Sequence, residues 1–243
     1  VFRGLAVWAV KSFLLTGSYW QLWYLNATVF AVLLLTAFFS AGVRLERVLL
    51  VGVVLYAVGL VPQTYAVFLD PLEDTAAWPA IDAFLRLIGT TRDGLFEGFL
   101  FVGIGAFLAW RPVNLRFKTA VVLLAASFAL FSVEVNAIAR LGWAQAYDMY
   151  ASLVPLSFLL FYVVARIEVP PGAAVANLRP LSSLVFYTHT LVLWFVQKAF
   201  AALALSNSLL LFAATAVGSV LVSQIIISLS GRKGLGWLKR LYS

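Results

Sequence analysis

Seven long apolar runs, joined by short polar connections, constrain this sequence more than any other feature. They occupy residues 18–39, 47–69, 94–110, 118–138, 149–165, 181–203 and 207–230. A helix crossing a bilayer needs about 20 apolar residues, because the hydrocarbon core is about 30 Å thick and each residue rises about 1.5 Å. The chain is 63% hydrophobic and 11% charged, against about 25% charged in an ordinary soluble domain. One water-facing core cannot bury that much apolar surface. The expected fold is all-α: a polytopic membrane bundle of seven transmembrane helices plus short interfacial helices, in a single domain over residues 1–243.

The connections carry their own signals. Residues 1–17 are apolar but short and are broken by Arg3 and Lys11, which predicts an interfacial helix ending at Gly17. Tyr19, Trp20, Trp23 and Tyr24 then form an aromatic belt at one membrane surface. Pro62 and Pro155 fall inside spans and predict kinks. Gly94, Gly98, Gly103 and Gly105 predict close helix approach. Residues 70–93 form the longest polar connection. Within it, Ile81, Phe84, Leu85 and Ile88 recur at helical spacing and predict an amphipathic helix over Trp78–Ile88. Residues 166–180 have the Pro and Gly content of a turn. The tail GRKGLGWLKRLYS is basic and amphipathic, suited to an anionic leaflet.

Charge placement orients the bundle. The connections after the first, third and fifth spans, with the tail, hold Arg44, Arg47, Arg111, Arg116, Lys118, Arg166, Arg179, Arg232, Lys233, Lys239 and Arg240, against only Glu46 and Glu168. The opposite set holds Arg3, Lys11, Arg86, Arg92 and Arg140, against Asp70, Glu73, Asp74, Asp82, Asp93 and Asp148. Bases near helix ends mark the cytoplasmic side, so the C-terminus is expected in the cytoplasm and residue 1 outside. The net charge of +7 then belongs to headgroup-facing loops and not to nucleic-acid binding. With no Cys and one His, disulfides, thiolate sites and His-rich metal sites are excluded, and no metal is expected. No secretory signal is visible, and Val1 is not an initiator Met. The chain is expected to begin within a longer protein.

Four titratable residues fall inside spans: Glu97, Glu134, His189 and Lys198. Such groups are costly in hydrocarbon, so each is a candidate for function. The structural alternative is that they glue helices together by hydrogen bonds or a Glu134–Lys198 pair, or that Lys198 snorkels outward. Counting rise per residue puts Glu97, Glu134 and Lys198 in the outer third, and His189 about 10 Å from the inner end.

Four stretches together resemble the membrane acyltransferase 3 family: FLLTGSYWQLWYLNA (13–27), TTRDGLFEGFLFVGIGAFLA (90–109), AYDMYASLVPLSFLLFY (146–162) and LRPLSSLVFYTHTLVLW (178–194). They are most similar to the branch fused to membrane-bound serine racemases, although no racemase domain is present. The resemblance implies about ten helices, so this chain corresponds to the C-terminal seven, truncated at its N-terminus. The family's first-helix His and the arginines that follow it have no counterpart here. His189 matches the family's late-helix His.

The resemblance implies transfer of an acyl group, acetyl in the usual case, from cytoplasmic acyl-CoA to a hydroxyl on an extracytoplasmic sugar or envelope polymer. The setting implied is the bacterial cytoplasmic (inner) membrane, with the lipid bilayer, acyl-CoA and the glycan acceptor as partners. His189 and Tyr187 are expected along the acyl path, with Arg92, Glu97 and Glu134 towards the acceptor. Arg111, Arg116, Lys118 and Arg179 are candidates for the CoA phosphates; the alternative is that they only set topology. Two other readings stand beside this one: a transporter of a small solute such as an amino acid, and a non-catalytic fragment of the family. A retinal-type seven-helix receptor does not fit, because the last span carries neither a lysine nor a carboxylate.

The natural absence of cysteine makes topology directly testable. A single cysteine at Asp74 is expected to react with a membrane-impermeant maleimide from outside intact cells, and one at Arg116 only after the membrane is opened. The reverse pattern would invert the orientation.

Overall fold

The computed structural model describes residues 23–170 and 172–242. The expected interfacial helix over 1–17, and the belt residues Tyr19 and Trp20, lie outside the described residues. All regular structure among the described residues is helical. Four helices are long and apolar enough to cross a membrane: Trp23–Ser40, Phe117–Leu141, Asn177–Ala202 and Ser208–Ser230. Large apolar side chains remain exposed along them, including Val29, Phe128, Leu191 and Phe212. In water that surface would be a liability; against lipid it is solvated. The chain has the architecture of a membrane protein.

The described residues divide into two compact units at Ile167/Glu168. The first contains α1 (Trp23–Ser40), α2 (Leu45–Leu60), α3 (Trp78–Ile88), α4 (Phe99–Trp110), α5 (Phe117–Leu141) and α6 (Leu153–Val164). The second contains α7 (Ala173–Ala202), α8 (Ser208–Ser230) and a final 3₁₀ segment, Gly236–Leu241.

Four of the expected spans depart from regular helix over the expected residues, each for a local reason. The run over 47–69 is helical only to Leu60. Pro62 lies past the helix end, so it stops the helix instead of kinking it; the chain continues in turns to Leu72. The run over 149–165 is helical only from Leu153, which puts Pro155 in the first turn, where its missing N–H costs nothing. The run over 94–110 begins as a π-helical turn, Gly94–Gly98, before continuing as α4. The amphipathic helix over Trp78–Ile88 forms as expected and ends at Gly89, at φ 76°. In the second unit, helix begins at Ala173 and not at Leu181, and it runs through Pro180. The helix starts directly after Gly172, in an alanine-rich stretch that favours helix.

In the first unit, Ala31, Leu35, Val48 and Phe99 form one core. Tyr56, Leu100, Ile104 and Met149 form a second. A third, of Ala120, Tyr162 and Val163, fastens the loop before α5. There the Tyr162 hydroxyl lies 2.8 Å from the Leu115 carbonyl, and the Arg166 guanidinium stacks 4.6 Å above the Tyr162 ring.

Glu134, on α5, starts the following helix. Its Oε1 accepts from the Tyr65 hydroxyl and, at 2.7 Å, from the Ala151 N–H. Its Oε2 accepts from the Ser152 N–H at 2.8 Å and from the Ser152 hydroxyl. The free N–H groups and positive dipole end at the start of α6 thus receive a carboxylate from another helix.

The second unit is an antiparallel pair. Gly218 of α8 faces Val192 so closely that a Cβ there would come within 2.9 Å of Val192 Cγ1. Ser219 and Ser223 are fully buried, and each returns its hydroxyl to the carbonyl four residues back at 2.7 Å. Small residues here let the helices touch. Glu134→Leu is expected to destabilise the protein by about 2 kcal/mol or more, the scale of lost hydrogen bonds to a charged group. Ser219→Ala, which removes only a hydrogen bond back to its own helix, should be near neutral. Denaturation in detergent micelles reads both.

Candidate functional site

The stretch TTRDGLFEG (90–98) builds the site by fixing most of its own side chains. The Thr91 hydroxyl donates to the Gly59 carbonyl at 2.7 Å. Thr90 Oγ1 accepts from Gln63 Nε2 and from the Arg92 N–H, both at 3.2 Å. Asp93 Oδ1 accepts from the N–H groups of Leu95 and Phe96, both at 2.9 Å, capping the π-turn. The Asp93 carbonyl then receives the Gly98 N–H at 2.9 Å, the i to i+5 bond of that turn. Gly94 has to be glycine: a Cβ there would lie 2.6 Å from the Ala27 carbonyl oxygen and 2.8 Å from Phe30 Cβ.

Burial pushes the Asp93 carboxyl up to about 6, against the two N–H bonds from Phe96 and Leu95, which pull it down. Its Oδ2 is buried with no hydrogen-bond partner.

That packing leaves two residues of the stretch to face elsewhere. Arg92 pairs with Asp148 at 2.9 Å and lies 4.8 Å above the Trp23 ring. Glu97 turns into a cavity of about 320 Å³, whose walls include Trp23, Thr28, Phe101, Val102 and Ser157. Glu97 Oε2 is buried with no hydrogen-bond partner. A carboxylate oxygen in apolar surroundings without a donor is costly, and a π-turn is a frequent companion of functional positions.

The other expected site residues divide as follows. Glu134, expected towards the acceptor, has both oxygens engaged at the start of α6, so its geometry is that of a cap. Arg111 is exposed and paired with Glu46 at 2.5 Å. Arg116 is exposed at the end of the same connection, and Lys118 is exposed in the first turn of α5. In the second unit, Arg179 and Tyr187 are exposed on α7. His189 is half-buried, and its Nδ1 lies 2.7 Å from the Phe186 carbonyl and 3.1 Å from that of Val185. Both partners are acceptors, so Nδ1 is a donating nitrogen. Lys198 lies 5.8 Å from the Trp194 ring centre, one turn back on its own helix.

Sequence reasoning placed Asp93 in a polar loop and missed its capping role. The signal was present, since Asp-Gly immediately before an apolar run is a helix-start signature. Thr28 and Ser157 had no signal; they are small polar residues in apolar helices that meet only through the fold. Among the described residues, no group of three or more His, Cys, Asp or Glu side chains could hold a metal ion.

No protein-family model, no curated protein and no solved structure matches this chain.

The raised Asp93 carboxyl fixes a sign. A group whose pKa is higher folded than unfolded contributes stability that is complete below the unfolded value, about 4. That contribution is lost as pH rises through about 6. Asp93→Asn keeps the accepting oxygen and removes the buried charge. The midpoint of the parent minus that of Asp93→Asn should therefore fall as pH rises from 4 to 7 in thermal unfolding. A difference that stays flat would show that the Asp93 carboxyl is not raised.

Proposed function

We propose that this chain is part of an integral membrane O-acyltransferase of the acyltransferase 3 kind. In this reading it spans the bacterial cytoplasmic membrane seven times, with a cytoplasmic C-terminus. It moves an acyl group, acetyl in the family's usual chemistry, from acyl-CoA to a hydroxyl of an extracytoplasmic sugar or envelope polymer. The observation that carries the reading is Glu97 Oε2, buried and undonated beside a cavity large enough for part of a substrate.

The chemistry asks for one base and one leaving group. The acceptor hydroxyl oxygen attacks the thioester carbonyl carbon, a C–O bond forms and the C–S bond breaks. Glu97 takes the hydroxyl proton, and CoA leaves as a thiolate that water protonates. Arg92, held by Asp148, places positive charge at the same end of α4. Glu134 keeps α6 in place and takes no proton in this scheme. His189 and the exposed Tyr187 are assigned to the acyl path, and Arg111, Arg116, Lys118 and Arg179 to the CoA phosphates.

Transport of a small solute is the second reading. The break after Leu60 and the π-turn at Gly94–Gly98 support it, because carriers bind cargo where helices are interrupted. Labelled serine taken up into vesicles above the level of empty ones would favour it.

In cells producing the protein, Glu97→Gln is expected to lower envelope-glycan acetylation by about 10²-fold or more, the scale of a lost general base. His189→Ala should lower it less. Acetylation unchanged in a stably folded Glu97→Gln protein would remove Glu97 from the chemistry.

A further inference from the structure

We propose that the Glu97 cavity is a lateral site for a single-chain amphiphile with a hydroxyl head, entered from the lipid phase. The inference rests on the acyltransferase reading only for the fate of that hydroxyl.

The walls grade from polar to apolar. Glu97 stands at the start of α4, Thr28 and Ser157 stand about a turn into α1 and α6, and Val102 and Phe161 lie further along the helices. On α6 the wall runs from Leu153 to Phe161, about 12 Å at 1.5 Å per residue. An amphiphile has the same polarity over that length. Tyr24 and Phe161, both on the rim, are each 55% exposed. They belong to apolar helices, so the opening lies on the exposed apolar surface of the first unit. At about 320 Å³ the cavity is at the small end of ligand sites. It holds a head and the first part of a chain, with the remainder left in the bilayer.

The head is assigned by what Glu97 lacks. Its Oε2 needs a donor. The Thr28 hydroxyl cannot supply one, since it donates to the Tyr24 carbonyl at 2.8 Å. No lysine or arginine is among the wall residues, so a phosphate or carboxylate head would meet only Glu97 and be repelled. A primary ammonium head would bring three N–H donors to one undonated carboxylate oxygen, and the others would be buried unpaired. A neutral hydroxyl donates to the carboxylate without either penalty.

Photolabelling tests this with the chain in phosphatidylcholine vesicles. Three hexadecyl diazirine probes are compared: an alcohol, the plain alkane and a primary ammonium. Adducts are mapped by peptide mass spectrometry. The alcohol is expected to label residues 153–161 and 98–102 about tenfold more than the alkane, the factor one hydrogen bond to a charged group contributes. Glu97→Leu should abolish that enrichment. So should Ser157→Phe, which fills the cavity and leaves the carboxylate intact. Labelling of the exposed face of α5 should not change in either variant. Equal labelling by alcohol and alkane, enrichment that survives both variants, or stronger enrichment of the ammonium probe would each overturn the proposal. An acetyl-transfer assay on vesicles holding the full-length protein, with acetyl-CoA and glycan supplied, separates the two claims. Enrichment without transfer keeps the site and removes the acyltransferase reading; transfer to a water-soluble glycan without enrichment does the reverse.

Discussion

Asp93 accepts the two free N–H groups at the start of the π-turn with one oxygen, and much of the first unit's site follows from that contact. The turn widens the helix by one residue and sets Phe96 into the core, where it is 4% exposed. It brings Gly94 against the backbone of α1, and Gly98 lies close to the same Ala27 carbonyl. Once Phe96 points inward and the two glycines face α1, Glu97 is left facing the cavity. A regular α-helical start would rotate Glu97 by about 100° relative to the residues before it, the angle of one residue in a 3.6-residue turn.

The two carboxylates inside the expected spans show how environment divides the roles of one residue type. Glu134 is surrounded by donors: two backbone N–H groups and two hydroxyls. That arrangement stabilises the charge, starts α6 and leaves no lone pair for a ligand. Glu97 has the opposite surroundings, an apolar cavity and an oxygen with no donor. A site that is to receive a proton or hold a donor needs the second environment. Helix α6 links the two, because the carboxylate that starts it also fixes the wall of the cavity that Leu153 and Ser157 contribute.

The all-helical membrane architecture was legible because apolar length is a one-dimensional signal, and the helix at Trp78–Ile88 was legible from periodicity alone. Span extents were less so. Pro62, Pro155 and Pro180 are the same residue type, yet one lies past a helix end, one sits in a first turn and one is carried inside a helix. Tertiary packing decides among these outcomes. The intramembrane carboxylates could be found from sequence because charge in an apolar run is conspicuous. Their partners could not, since Glu134 meets Tyr65 from 69 positions away. The π-turn left no trace in the hydropathy pattern.

The most direct test of this account is carbodiimide labelling of the full chain in vesicles. Dicyclohexylcarbodiimide partitions into lipid and reacts with carboxyl groups that it can reach from the apolar phase. The account predicts modification of Glu97 and protection of Glu134, with protection of Glu97 restored by an excess of hexadecanol. Modification of Glu134 in preference to Glu97, or an unmodified Glu97 in the absence of any competitor, would contradict it.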